Sequence, residues 1–377
     1  YLTDDLTDRA IRMVRECRAS DPGKPFFLYF AHGAVHAPLH AKRDDIERHL
    51  DAYHEGWDVL RARRHQRQID LGVLPPGTGL APRNAEPGDE VPAWDDLDDD
   101  RRALFARYMS VYAAMVDSID QNVGRLRAAF EEMGIWDDTL FIFTSDNGGS
   151  REGELDGTSA YLRTLHFGRT GAEEPFEEDL ARLDEMGGPT TFPHYPRGWA
   201  MVSNTPFRLY KINTHRGGHS VPMIASWRGG GVPAGERREQ FVHVSDLMPT
   251  LCTITGIERP EQWRGQPALP LLGEDVSAAL FDAAAPGRVG DLMVENEGHR
   301  GYRRGTWEAV TRHEHRTPFS EDRWELYDMA SDPSQLRDLS EHQPQLLAEM
   351  VTAWEESAWE NQVFPLDEGT GYRFLLR

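Results

Sequence analysis

Phe141-Ile142-Phe143-Thr144-Ser145-Asp146-Asn147-Gly148-Gly149 is the stretch on which the reading of this chain turns. Three apolar β-forming residues and a Thr run into Ser-Asp-Asn-Gly-Gly. That is the pattern of a short buried strand ending in a tight turn that glycine permits. A carboxylate and a carboxamide then stand side by side at the carboxyl end of a strand, where open α/β sheets place their ligands. Asp146 and Asn147 are hard oxygen donors suited to Ca²⁺ or Mg²⁺. The same four residues, Asp-Asn-Gly-Gly, also read as an ordinary turn.

Immediately upstream lies the strongest helical signal in the chain, from Asp98 to Met133. Leu104, Tyr108, Val111, Met115, Ile119, Val123, Leu126 and Phe130 recur at steps of three and four, and Gly134 closes the run. Further back, residues 4–18 carry an amphipathic helical pattern. Pro25 then introduces Phe26-Phe27-Leu28-Tyr29-Phe30-Ala31, a continuous apolar run that predicts a central parallel strand. The strand opens into the His-rich loop His32-Gly33-Ala34-Val35-His36-Ala37-Pro38-Leu39-His40. Residues 42–70 read as helical, and residues 72–97, rich in Pro, Gly and acids, as a surface loop. Helix, buried strand and ligand-bearing loop in succession mark an α/β fold.

Downstream, residues 150–200 show little apolar periodicity and read as a long excursion. Order returns at Pro206-Phe207-Arg208-Leu209-Tyr210-Lys211 and at Pro222-Met223-Ile224-Ala225-Ser226-Trp227, with a helix expected over 242–254. Composition shifts near 283–287. Short strand patterns at 292–295, 301–303, 307–310 and 324–327 and a helix at 343–358 follow. The expected division is a larger α/β domain over 1–287 and a small α+β subdomain, an antiparallel sheet plus a helix, over 288–377.

The 377 residues carry a net charge of −22, which argues against a nucleic-acid partner. No run of about 18 apolar residues suggests a membrane span. Only Lys24, Lys42 and Lys211 break an otherwise Arg-only basic set. A retained Lys offers a compact point charge with a tunable pKa, although solvent-facing Lys is the ordinary case. The two cysteines, Cys17 and Cys252, have no metal-ligand spacing and leave the redox compartment open.

Taken in order, these landmarks resemble the sulfatase family of the alkaline-phosphatase-like superfamily, and bacterial arylsulfatases in particular. The residues that carry the resemblance are Pro25–Phe30 with Val35-His36-Ala37-Pro38-Leu39, Gly56-Trp57-Asp58, Tyr112–Asp117, Thr144–Gly149, Ser203–Arg208 with Tyr210-Lys211, Gly217-Gly218 before Val221-Pro222, Asp246–Thr250, and Glu325–Asp328 with Asp332-Pro333. The resemblance implies a mixed sheet between helices with a small C-terminal antiparallel-sheet subdomain. It implies hydrolysis of a small-molecule sulfate ester with one divalent cation, Ca²⁺ or Mg²⁺. By position, Asp146 and Asn147 match metal ligands. His36 matches the histidine at the sulfate or leaving-group oxygen, and Lys211 the lysine that holds the sulfate. His215 is a further candidate for the substrate pocket. A metal and a Lys suit the charge that builds on the leaving oxygen as the S–O bond breaks. A His suits proton donation near neutral pH.

Other family features are not found. The formylglycine nucleophile arises from Cys/Ser-x-Pro/Ala-x-Arg, and neither Cys17-Arg18-Ala19-Ser20-Asp21 nor Ser220-Val221-Pro222-Met223-Ile224 has the Arg. Asp4-Asp5 reads as first-turn helix acid rather than the metal-binding Asp pair of a first strand. Arg216 stands where relatives commonly have Glu before Gly-Gly. The expectation is a partial sulfatase, with the formylglycine and the remaining metal ligands outside these residues, and inactive by itself. The alternatives are a phosphodiesterase or phosphonate hydrolase of the same superfamily, and a non-catalytic anion-binding domain. Compartment (bacterial periplasm or cytoplasm) and oligomeric state are left open.

Overall fold

The computed structural model describes residues 1–162 and 176–368. Its helices, in chain order, are α1 (Leu2–Ser20), α2 (Arg43–Glu47), α3 (Gly56–Asp70), α4 (Asp99–Glu132), α5 (Phe176–Ala181), α6 (Arg197–Ser203), α7 (Arg216–His219), α8 (Leu247–Thr255), α9 (Ala278–Phe281) and α10 (Pro344–Glu360). The strands are β1 (Phe141–Thr144), β2 (Met223–Ser226), β3 (Gln262–Trp263), β4 (Gln266–Pro267), β5 (Leu292–Asn296), β6 (His299–Arg304), β7 (Trp307–Thr311) and β8 (Trp324–Asp328).

The spine is α4. Asp98 caps it by accepting a hydrogen bond from the Arg101 amide at 2.7 Å, with Asp99 and Asp100 in the favourable first turn. Its apolar stripe, Leu104, Phe105, Tyr108, Met109, Val111 and Met115, is buried in the main core. Gly134 at φ 67° ends the helix, a conformation that costs a residue with a side chain. The lower part of α4, at Leu126 and Phe130, packs with Ala10 and Val14 of α1 in a second cluster.

Four expectations change in detail. The run at 26–31 is extended but is not paired as a strand among the described residues. Phe26, Leu28 and Phe30 pack onto the α1–α4 cluster, while Phe27 and Tyr29 are 78% and 82% exposed. A continuous apolar run predicts burial on both faces, and here one face is covered. The 42–70 region breaks into α2 and α3 around a turn. The helix expected from 242 starts at Leu247, after a single turn over Val244–Asp246. The 150–200 excursion ends in core: Trp199, Ala200, Met201 and Val202 of α6 are fully buried. Trp199 meets Trp57, Trp94 and Tyr53 at centroid distances of 5.7, 5.5 and 5.5 Å. A helix of seven residues is too short to print a periodicity.

β1 pairs antiparallel with β2, from Phe141 opposite Ser226 to Thr144 opposite Met223. β3 and β4 form a minimal hairpin. From Leu292 onward, β5-β6-β7-β8 is an antiparallel meander. Met350, Trp354 and Ala358 of α10 pack across it onto Tyr302, Ala309 and Leu326, a core of its own. An ion network ties this sheet to the chain before Lys211. Arg208 reaches Glu86 at 2.8 Å, Glu325 at 3.2 Å and the Tyr327 hydroxyl at 2.8 Å.

Candidate active site

The turn after β1 is fixed from outside. Gly148 N–H donates to the Gly218 carbonyl at 2.9 Å, and Gly149 N–H to Asn204 Oδ1 at 2.7 Å. A Cβ on Gly148 would overlap the Gly217 carbonyl oxygen, and a Cβ on Gly217 or Gly218 would overlap carbonyl oxygens of Arg208 and Leu209 or of Asn213 and Tyr210, so these three positions need glycine. Asn204, which follows α6, also donates from Nδ2 to the Leu209 carbonyl at 2.9 Å. One buried amide therefore spaces the Asp146–Asn147 turn from the segment that carries Lys211. The Gly149 carbonyl then accepts the Lys211 amide at 3.0 Å.

Lys211 sits between two residues with left-handed backbone, Leu209 at φ 62° and Ile212 at φ 85°. Such strain in branched side chains persists where the surroundings over-determine it, and it collects at functional sites. The Lys211 Nζ lies 3.0 Å from His36 Nε2, although the two residues are 175 positions apart. His36 Nδ1 lies 2.7 Å from the Ala37 carbonyl. A carbonyl only accepts, so Nδ1 carries the hydrogen and Nε2 presents its lone pair to the Lys211 ammonium. His36 is exposed and Lys211 partly so; an anion can reach both.

The sequence reading missed a second layer behind Lys211. Glu152 Oε1 is 3.4 Å from Lys211 Nζ, and Glu152 Oε2 accepts the Tyr161 hydroxyl at 2.9 Å and Ser150 Oγ at 3.0 Å. Burial alone would raise the Glu152 carboxyl, but Lys211 with the Tyr161 and Ser150 hydroxyls holds it below the usual carboxylate range. His194 is buried, with Nδ1 on the Tyr195 carbonyl at 2.8 Å and Nε2 3.2 Å from Ser150 Oγ. Burial pushes its pKa down to about 4, so the ring is neutral. Glu297, in the β5–β6 turn, is raised by burial and then by the charge of Glu152. The available signal was proximity: Ser150 and Glu152 directly follow the Gly-Gly turn, inside a stretch that read as loop.

Asp146 is exposed, and its Oδ1 accepts the Asn147 amide at 3.0 Å. Asn147 Nδ2 donates to the Gly148 carbonyl at 2.8 Å, which leaves its Oδ1 as the side chain's remaining acceptor. Two oxygen donors of the right chemistry are therefore adjacent, fewer than the six to eight that Ca²⁺ takes. Among the described residues no group of three or more His, Cys, Asp or Glu is arranged to hold a metal. These residues fit part of a cation site and do not complete one.

His215 lies elsewhere. It is fully buried and faces Glu325 at 3.2 Å, inside the Arg208 network. His215 and Arg208 hold the Glu325 carboxyl far below its ordinary value, against burial that would raise it. Arg216 also turns away from Lys211: it donates to the Pro333 carbonyl at 2.9 Å and to Ser220 Oγ at 3.1 Å, over the ring of Phe207. Cys17 is exposed on α1.

Known proteins resemble this chain in sequence and in fold. The family model described as Sulfatase matches residues 1–257. An uncharacterized sulfatase of Schizosaccharomyces pombe is 28% identical over 349 residues, covering 92% of this chain and 60% of that protein. The arylsulfatase of Klebsiella aerogenes is 27% identical over 263 residues, covering 69% of this chain and 53% of that protein. The chain thus spans between half and two thirds of the length of these relatives. A solved structure in complex with its substrate, D-glucosamine-2-N,6-O-disulfate, superposes with a TM-score of 0.54 at 18% identity, over 98% of this chain and 71% of that one. The fold is the alkaline-phosphatase-like α/β fold of these neighbours, with a C-terminal sheet and helix. By its family model and its relatives, the chain belongs to the sulfatase family.

Proposed function

We propose that this chain carries the anion-holding part of a sulfuric ester hydrolase site. The observation that supports it is the Lys211–His36 pair, tied through the Gly149 carbonyl to the Asp146–Asn147 turn. A sulfate oxygen placed at Lys211 would have its charge met by an ammonium in a partly desolvated setting, where such a contact is stronger than in water. His36, held by its Nδ1 hydrogen bond, offers Nε2 to the ester oxygen. When protonated there, it gives that proton to the leaving group. Asp146 and Asn147 supply two oxygen donors toward a Ca²⁺ or Mg²⁺ ion, which when bound would draw off negative charge from the sulfate. The substrate class is a sulfated small molecule, with a sulfated sugar favoured because a structural neighbour binds one as its substrate.

The nucleophile of this reading is a formylglycine supplied by residues beyond these 377, and these residues by themselves are inactive toward sulfate esters. Residues 1–287 form the catalytic part and 288–377 a subdomain that braces it. His215 acts in that brace, through Glu325, rather than on substrate. Calorimetry with inorganic sulfate tests the anion site: the chain binds sulfate, and Lys211→Met abolishes binding while leaving the thermal midpoint within a few degrees. Equal sulfate binding by chain and variant, or none by either, refutes the assignment. Release of phenol from aryl sulfates and aryl phosphates, compared on a longer form that carries the nucleophile motif, separates sulfatase from phosphonate or phosphodiester hydrolase chemistry.

A further inference from the structure

The geometry points to Glu152 as a built-in competitor at the anion site, a fixed carboxylate that shares Lys211 with an arriving sulfate group. The inference rests on the reading of Lys211 given above. The carboxylate is anchored independently of Lys211. Its Oε2 takes hydrogen bonds from Tyr161 at 2.9 Å and Ser150 at 3.0 Å, and its own amide donates to Ser150 Oγ at 3.1 Å. That hold leaves Oε1 facing Lys211 at 3.4 Å.

The pair is neither open nor sealed: the Lys211 and Glu152 side chains are 21% and 22% exposed. An ion pair in such a place is screened less than one on the surface. A sulfate monoester presents to an ammonium the same feature as a carboxylate, an oxygen with a share of a negative charge. Both cannot keep the full benefit of one Lys. When sulfate arrives, Glu152 remains where its two hydroxyl partners hold it, and like charges then face each other across Lys211.

Two consequences follow. In the empty site, Glu152 offsets the charge of Lys211, whose backbone is held separately by the Gly149 carbonyl at 3.0 Å. In the bound site, Glu152 opposes the anion and weakens its hold, which suits release of inorganic sulfate as a product. A residue that merely shaped the pocket would act in the opposite sense, because its loss would disorder Lys211 and weaken the anion.

The sign of the change is the test. Inorganic sulfate is titrated into the chain, Glu152→Gln, Glu152→Ala and Lys211→Met by calorimetry at neutral pH, with circular dichroism to verify folding. Two Glu152 variants are used so that one poorly folded protein does not decide the outcome. We expect sulfate to bind at least fivefold tighter to both Glu152 variants and not measurably to Lys211→Met. Binding lost in Lys211→Met but unchanged or weaker in both Glu152 variants overturns the role of Glu152 and leaves the anion site standing. Binding unaffected by Lys211→Met, or undetectable in every protein, overturns the site itself, and Glu152 with it.

Discussion

Asn204→Ala probes the joint on which the candidate site depends. The residue is 7% exposed, and its side chain makes two close bonds with different partners, beside a longer one from Nδ2 to the Gly149 carbonyl at 3.5 Å: Oδ1 accepts Gly149 N–H at 2.7 Å, and Nδ2 donates to the Leu209 carbonyl at 2.9 Å. Alanine removes both and leaves a donor and an acceptor without them. A net hydrogen bond is worth about 1 kcal/mol, and an unsatisfied buried group costs about 1–3 kcal/mol. Water can reach the partly buried Gly149 more easily than the buried Leu209, so the expected loss is about 2–3 kcal/mol. That is a large share of the roughly 5–15 kcal/mol by which domains are stable. Urea unfolding should show a lower midpoint with an unchanged slope, since the exposed surface is the same. Amide exchange should quicken at Gly149 first, because its donor has lost its acceptor. Sulfate affinity should fall as well, because the Asp146–Asn147 turn and Lys211 are no longer spaced by one amide. A loss below about 0.5 kcal/mol, with Gly149 exchanging as slowly as before, would refute the reasoning. It would mean that the Gly148–Gly218 contact alone sets the turn.

Gly148→Ala should be worse for the site than for the fold: its Cβ would press on the Gly217 carbonyl, so sulfate binding should be lost, and retained binding in a folded variant would count against the close approach of Gly148 to Gly217. Trp199→Ala should destabilise by about 3–5 kcal/mol, the range for a buried aromatic, because Trp199 is fully buried and its indole N–H donates to the Phe105 carbonyl at 2.8 Å; differential scanning calorimetry reads the shift, and a change under about 1 kcal/mol contradicts the core assignment. Acid should weaken the fold before its carboxylates protonate. His194 is pushed down to about 4 by burial, and His299 to about 3 by burial and by Arg312; His299 Nδ1 accepts the His313 amide at 3.0 Å and has no room for a proton. Both folded values lie below the ordinary histidine value of about 6.5, so the unfolded chain binds more protons, and stability present above that pH is lost as pH falls toward 4. Each group should take up to roughly 2 kcal/mol by pH 5; urea midpoints that stay flat from pH 7 to 5 would contradict this.

Much of the architecture was legible because it is local. The α4 helix announced itself through a stripe of apolar residues, an Asp cap and a closing glycine, all readable within one window. The strands of the C-terminal sheet were legible for the same reason. Other elements were not. The run at 26–31 reads the same whether one or both of its faces are covered, and burial is decided by neighbours distant in sequence. α6 holds a fully buried tryptophan, Trp199, in a segment too short to show a period.

The candidate site divides in the same way. By itself the sequence determined the chemical types: an Asp-Asn pair beside a Gly-Gly turn, one of only three Lys in an Arg-rich chain, and a His in a His-rich loop. Family resemblance put them in order. Only the tertiary structure decided that Lys211 and His36 touch, that His215 turns into a buried ion network instead, and that Glu152 stands behind Lys211. The physical reason is that side-chain partners 175 or 110 residues apart are chosen by how helices and loops pack, whereas sequence patterns report only what a residue's near neighbours impose.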